Sequence, residues 1–246
     1  MIPNPAGRVV SAVWAIVPIK HFELAKARLA PVLEPEQRQA LMRAMATDVL
    51  TSLAATPGIE RILVVSADPA VAALAQAVGA VVLADERGGL NSAVALGAAA
   101  AARAGAKGVL VVHGDLPLAS ASAFAEVISA HGTAPAVTIV PDALEDGSNC
   151  LACSPPEIIE FRFGSNSCSA HMTAACERGI EPLKLAIPSL ALDVDSPDDL
   201  RVLLAAEHAG RSVAFLRSSG IASRLALETA VNPAAEQLPR KLGGSA

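Results

Sequence analysis

The 246-residue chain sets 19 Lys and Arg against 24 Asp and Glu, for a formal net charge of −5, and is 52% hydrophobic. That suits one α/β domain, or one and a half, with a sizeable core. Six aromatic residues, Trp14 and five Phe, and an acidic balance exclude a single-strand nucleic-acid binder, which needs stacking platforms in a basic groove.

In chain order, Val13–Ile19 reads as a first buried strand. The preceding Arg8 to Val17 imitates a signal peptide, but Pro18-Ile19-Lys20 stands where small residues for cleavage belong. Pro35 opens a helix whose apolar residues Leu41, Met42, Met45, Val49, Leu50 and Leu53 share one face until Pro57-Gly58 stops it. Ile62–Ser66 is a second strand, and Asp68-Pro69 caps a helix that ends at Gly79. Ala80–Leu83 is a third strand, followed by a helix from Asn91 to Arg103 and a fourth strand, Val109–His113. No uncharged apolar run here attains the roughly 18–20 residues of a membrane span; the longest, Gly88 to Ala102, is interrupted by Asn91 and Ser92. A helix over Ser120 to Ala130 precedes a fifth strand, Ala136–Val140. This alternation implies parallel strands with right-handed crossovers, hence an α/β, doubly wound sheet whose ligands bind beyond the carboxyl ends of the strands.

After Pro141 the rhythm breaks. Asp142–Asn149 reads as a polar loop, Cys150–Ser154 as a short strand, and Phe161–Ser167 as a loop into a helix ending near Gly179. Leu183–Ile187 and Leu190–Val194 read as strands, and Ser196-Pro197-Asp198-Asp199 opens a helix running to about Glu207. Residues 1–209 form the expected main domain, with 210–246 an extension that is mobile from Pro233 onward. Cys150 and Cys153 have C-x-x-C spacing, but on a strand they face opposite ways, so packing is expected and not zinc or redox work. Four Cys in this length do not suggest a disulfide scaffold, and the cytoplasm is the expected compartment.

The chain has no P-loop, no G-x-G-x-x-G after the first strand and no G-x-S-x-G elbow. Four features remain. Lys20, Lys26 and Arg28 follow the first strand and should converge on the ligand edge, where three cations suit a triphosphate. Gly88-Gly89-Leu90-Asn91 lies between a strand and a helix, so its backbone can approach a base or phosphate; a plain turn with an Asn cap is the alternative. Asp115 ends an apolar strand, a rigid support for a hard Mg²⁺ ligand. Asp193 and Asp195, two apart, bring like charges together and call for a cation between them, unless Asp195 caps the helix at Pro197.

Together these segments resemble the guanylyltransferases of deazaflavin coenzyme F(420) biosynthesis. The likeness rests on V-P-I-K at 17–20, A-K-A-R-L-A-P-V-L at 25–33, G-G-L-N at 88–91, G-D-L-P-L at 114–118, F-R-F-G-S-N-S at 161–167 and L-A-L-D-V-D-S-P-D-D-L at 190–200. The resemblance implies a sheet of nucleotidyltransferase, glycosyltransferase-A-like type, similar to the molybdenum-cofactor nucleotidyltransferases. It also implies transfer of GMP from GTP to the phosphate of 2-phospho-L-lactate, phosphoenolpyruvate or 3-phospho-D-glycerate. On this basis Asp115, Asp193 and Asp195 hold Mg²⁺, and Lys20, Lys26, Arg28, Gly88, Gly89 and Asn91 serve GTP. Ser148, Gly164 and Ser167 match the positions that hold the phospho-acid, and a homodimer is plausible for such a protein. The family pattern is departed from at Asp142–Ser148, which lacks an Arg after the first Asp and a Gly-Thr pair before Asn149, and at Cys168, where an aromatic residue is expected. The altered acid loop and Ala-rich composition lean the acceptor toward 3-phospho-D-glycerate. Competing functions are another metal-dependent nucleotidyl- or glycosyltransferase and a non-catalytic nucleotide-binding protein.

Overall fold

The computed structural model describes residues 13–85, 88–207 and 210–225. Its seven strands are β1 (Val13–Pro18), β2 (Ile59–Val65), β3 (Val81–Leu83), β4 (Gly108–Val112), β5 (Ala136–Pro141), β6 (Ser148–Ser154) and β7 (Leu183–Lys184). They form one sheet in the order β3-β2-β1-β4-β6-β5-β7, in which β6 alone runs antiparallel to its neighbours. The chain moves outward from β1 through β2 to β3, then returns to lay β4 on the other side of β1. Ligands of such sheets bind where the strand order reverses, here beyond the carboxyl ends of β1 and β4.

The helices are α1 (Pro35–Ala54), α2 (Pro69–Ala77), α3 (Leu90–Arg103), α4 (Ala121–Ala130), α5 (Ser167–Glu177), α6 (Pro188–Ala191), α7 (Pro197–Ala205) and α8 (Arg211–Ser218). Proline fits the first turn of α1, α2, α6 and α7 because no intrahelical N–H bond is due there. The period-2 alternation of β1 splits the core. Val13, Ala15 and Val17 pack under α1, α2, α4, α7 and α8, whereas Trp14 and Ile16 pack under α3 and α5. Helices thus cover both faces, as expected of a doubly wound sheet. Helix α3 approaches β1 closely at Gly97, where an added Cβ would lie 2.7 Å from the Ile16 side chain.

Cys150 packs on one face of the sheet and Cys153 on the other, both buried and free, as strand geometry requires. Three sequence expectations need correcting. Leu190–Val194 is not a strand: α6 covers Leu190 and Ala191, with Pro188 at its first turn, and Leu192 to Asp195 are irregular. The strand expected at Leu183–Ile187 shortens to Leu183–Lys184, because Ile187 already caps α6. Conversely, β6 begins at Ser148, inside the expected polar loop. Its two polar residues are satisfied there: Ser148 N–H donates to Ser167 Oγ at 2.9 Å, and Asn149 Nδ2 donates to the Leu190 carbonyl at 2.9 Å.

Residues beyond 209 also join the core. Asp48 on α1 accepts from Arg211 N (2.8 Å), Ser212 N (2.9 Å) and Ser212 Oγ (2.6 Å), and Val213, Leu216, Ile221 and Leu225 are buried against the α1 face. The expected mobile segment Pro233–Ala246 lies outside the described residues. Among the described residues, no helix is long and apolar enough to cross a membrane.

Candidate active site

The loop after β1 folds as two short 3-10 turns, Phe22–Leu24 and Ala27–Leu29, each with an apolar anchor: Phe22 is 3% exposed and Leu29 is fully buried. Between them Lys26 adopts a left-handed conformation (φ 56°), uncommon for a residue with a Cβ. Asp68, the cap of α2, fixes the loop from outside. Its Oδ1 accepts from Ala70 N at 2.8 Å and its Oδ2 from Phe22 N at 2.9 Å. Burial would raise the Asp68 carboxyl, but these N–H donors, helped by His21, hold it below the usual carboxylate value.

This loop sends its three cations in different directions. The Lys26 side chain is 5% exposed, and its Nζ donates to Asp115 Oδ2 at 2.5 Å and Asp195 Oδ1 at 2.8 Å. Burial alone would lower its pKa, but the two carboxylates outweigh burial and hold it above the ordinary lysine value. Lys20 is exposed and lines a cleft of about 340 Å³ with Ser66, Asp85, Gly88, Gly89 and Leu90. Arg28 is 82% exposed, lies 3.5 Å from Asp195 Oδ2, and lines a second cleft of about 380 Å³ with Asp142, Leu144, Asp193, Asp195 and Val202. Lys20 and Arg28 thus line separate clefts, and Lys26 is buried against Asp115 and Asp195.

Asp115 lies in the loop after β4. Burial would push its carboxyl up, but Lys26, then His113, bring it below the usual carboxylate value. Its Oδ1 is buried and has no hydrogen-bond partner among the described residues. Asp193 behaves oppositely: burial first, then the charges of Asp115 and Asp195, raise its pKa to about 6 against a weaker pull from Lys26. Asp195 does not cap α7. Ser196 does, through the amide of Asp199, and the Asp199 carboxylate accepts from the N–H groups of Asp195 and Ser196. Among the described residues no three His, Cys, Asp or Glu side chains form a ready-made metal cage.

Gly88 and Gly89 have φ of 71° and 92°, with open space where their Cβ atoms would be, so the backbone presents itself bare to the first cleft. Gly89, not Asn91, caps α3. Asn91 instead clamps Phe163, its Nδ2 donating to the Phe163 carbonyl (3.1 Å) and its Oδ1 accepting from Phe163 N (2.7 Å). Both ends of the amide are thereby taken. Gly164 follows with φ 130°, and its carbonyl accepts from Ser167 N at the start of α5. Ser148 and Ser167, each 2% exposed, are joined through the Ser148 N–H. His171 was not singled out by its sequence context, yet its Nδ1 lies 3.0 Å from Ser148 Oγ. His113 was likewise unmarked; burial lowers its pKa, and its Nε2 is buried without a partner among the described residues.

Residues 13–232 match the family described as guanylyl transferase CofC like. Phosphoenolpyruvate guanylyltransferase of Conexibacter woesei is 41% identical over 202 residues, covering 80% of this chain and 91% of that protein. 3-Phospho-D-glycerate guanylyltransferase of Colwellia psychrerythraea is 33% identical over 188 residues, covering 76% and 89%. Among solved structures, a nucleotide-diphospho-sugar transferase of Desulfovibrio desulfuricans superposes with a TM-score of 0.69 at 17% identity, covering 87% of this chain and 98% of that one, a likeness of fold. With the motifs of the Lys26 loop, the Gly88–Gly89 turn and the Asp115 and Asp193 loops all inside the matched span, the chain belongs to the CofC-like guanylyl transferase family.

Proposed function

We propose that this protein transfers GMP from GTP to the phosphate of a three-carbon phospho-acid, releasing pyrophosphate, in the biosynthesis of a deazaflavin coenzyme, in the cytoplasm. The observation that carries the proposal is the buried Oδ1 of Asp115, unpartnered among the described residues, in a carboxylate that Lys26 ties to Asp195 on the lining of the Arg28 cleft. GTP takes the cleft of Lys20, Gly88 and Gly89, and the acceptor takes the side of Arg28, Ser148, Gly164 and Ser167.

The acceptor needs no general base. A phosphate monoester has its second pKa near 6, so at neutral pH it is mostly a dianion. Its oxygen forms a bond to the α-phosphorus of GTP while the bond to pyrophosphate breaks. What the protein must supply is alignment and relief of repulsion between two polyanions. Opposite charges 4 Å apart are worth about 1 kcal/mol in water and about 4 in a partly buried setting, so cations on cleft walls act most strongly once substrate displaces water. Lys26 keeps one ammonium N–H beyond the two it gives to Asp115 and Asp195.

The residues present suit Mg²⁺. Carboxylates are hard donors, and Mg²⁺ is bound by one or two of them plus substrate phosphates, not by an all-protein cage. Asp115, through its unpartnered Oδ1, and Asp193 would hold it; Asp195, engaged by Lys26 and Arg28, would join by exchanging those partners. When bound, the ion supplies charge neutralisation at the phosphates and at departing pyrophosphate.

Asp193→Asn separates stability from activity. With its folded pKa raised to about 6 above an ordinary carboxylate, Asp193 destabilises the ligand-free fold at pH 7; the penalty fades as pH falls through 6 toward 4. The variant should therefore gain about 1 kcal/mol at pH 7, after allowance for solvent screening, while losing most turnover. Melting curves at pH 7 and pH 4 together with kcat test both halves; unchanged turnover removes Asp193 from the site.

The acceptor is tested by offering GTP with phosphoenolpyruvate, 3-phospho-D-glycerate and 2-phospho-L-lactate in turn, reading pyrophosphate and the mass of the guanylylated product. Release with one of them is expected. No release with any, against turnover of another nucleotide with a sugar phosphate, overturns the proposal.

A further inference from the structure

The hydrogen bonds around His171 fix its tautomer. The backbone N–H of Arg162 donates to Nε2 at 2.9 Å, and a backbone amide can only donate. The proton of the neutral ring is therefore on Nδ1, which donates to Ser148 Oγ at 3.0 Å. Burial keeps the ring neutral, with a pKa near 4. The ring cannot turn freely: Phe163 packs edge-on to it with centroids 4.7 Å apart, and Asn91 clamps the Phe163 backbone.

This arrangement decides what the two serines do. Ser148 Oγ accepts from His171, so its own hydrogen is directed elsewhere. Ser167 Oγ accepts from Ser148 N, which leaves its hydrogen free as well. Three amides at the start of α5 are already taken: Asn166 N and Cys168 N donate to Asp146, and Ser167 N to the Gly164 carbonyl. An anion seated here meets hydroxyl donors, not a helix terminus.

We propose that His171 is a positioning residue, whose Nδ1–H holds the Ser148 hydroxyl as an obligate donor to an anionic oxygen of the acceptor. The proposal rests on the placement of Ser148 at the acceptor in the proposed function. Without His171 the hydroxyl rotates, and its single hydrogen is shared between competing acceptors.

Two substitutions divide the two ring nitrogens. His171→Asn sets an amide N–H near the Nδ1 locus and keeps the donor to Ser148. His171→Gln reaches the Nε2 locus and keeps an acceptor for Arg162 N but loses that donor. Steady-state kinetics of both, with Ser148→Ala and the Ser148→Ala/His171→Gln pair, should show acceptor KM raised about tenfold in His171→Gln and Ser148→Ala. The GTP KM should stay within about twofold, His171→Asn should recover most of the acceptor KM, and the double variant should be no worse than Ser148→Ala alone. A His171→Gln effect that persists undiminished in the Ser148→Ala background, or equal losses in the Asn and Gln variants, overturns the positioning role and leaves the acceptor site standing. An unchanged acceptor KM in Ser148→Ala removes Ser148 from the acceptor and the His171 role with it. Should His171→Gln fail to fold, His171→Asn alone and in the Ser148→Ala background still decides: a tenfold rise in acceptor KM for His171→Asn, additive with Ser148→Ala, counts against the proposal.

Discussion

Asp115→Asn is expected to lower kcat about a thousandfold with the fold retained. The amide can still accept from Lys26, and Lys26 keeps Asp195 at 2.8 Å, so the ion-pair cluster loses one charge and no contact. What disappears is the negative charge of the carboxylate whose Oδ1 is buried. A preorganised charged group in a water-poor site is worth about a hundred- to a thousandfold in kcat, and a hard metal ligand reaches the upper end. Single-turnover rates with GTP and acceptor, alongside a thermal melt, measure the two effects separately. Near-normal turnover in a well-folded variant would take Asp115 out of the reaction centre and leave its burial without a functional account.

Lys26→Met should be more damaging to the protein as a whole. Methionine fills much of the same volume, but it leaves Asp115 and Asp195 side by side without the cation between them. Removing one partner of a buried pair costs about 3–5 kcal/mol; Asp195, 45% exposed, can turn to water, so about 3 kcal/mol is expected here. The pH dependence gives the loss a signature. In the native protein Lys26 holds the Asp115 carboxyl below its unfolded value, so the pair stabilises at neutral pH and loses that contribution as pH falls through the depressed pKa. In the variant Asp115 takes a proton more readily, so the gap in melting temperature between variant and native protein should be widest near pH 7 and narrow on acidification. A gap independent of pH would mean that lost packing, not charge, is responsible. Turnover should fall as well, because the cluster, already net negative, loses the cation that would face substrate phosphates.

Much of the fold was legible because its parts have strong local signals. Alternating apolar strands and amphipathic helices announced the doubly wound sheet, and Pro35, Asp68 and Ser120 marked helix starts that the structure keeps. Legibility failed where a short apolar run had no period of its own: Leu190–Val194 suits a strand as well as a buried helical turn, and Pro188 decided it. Ser148 and Asn149 looked like loop because of their polarity, and only their distant partners, Ser167, His171 and the Leu190 carbonyl, make them strand. At the site, Asp115, Asp193, Asp195, Lys26 and Arg28 were found by type and spacing. That Lys26 binds carboxylates, that Asn91 clamps Phe163, and that His171 serves Ser148 across 23 positions are matters of tertiary approach, which spacing does not carry.

Among the described residues the two clefts share no lining residue, and the loop after β1 contributes Lys20 to one and Arg28 to the other. The loop at 142–147 is braced from within, Asp142 accepting from the amides of Leu144 and Asp146. It is also braced from outside, where Asp146 accepts from Asn166 N and Cys168 N, Ala143 N donates to the Ala191 carbonyl and Lys184 pairs with Glu145. Leu144 is 65% exposed. Those outside braces run to α5, α6 and β7, so a change of sequence in the loop is transmitted to these elements. On the proposed division of substrates, acceptor preference would then drift with residues 142–147 and their supports, apart from the glycine turn at 88–89.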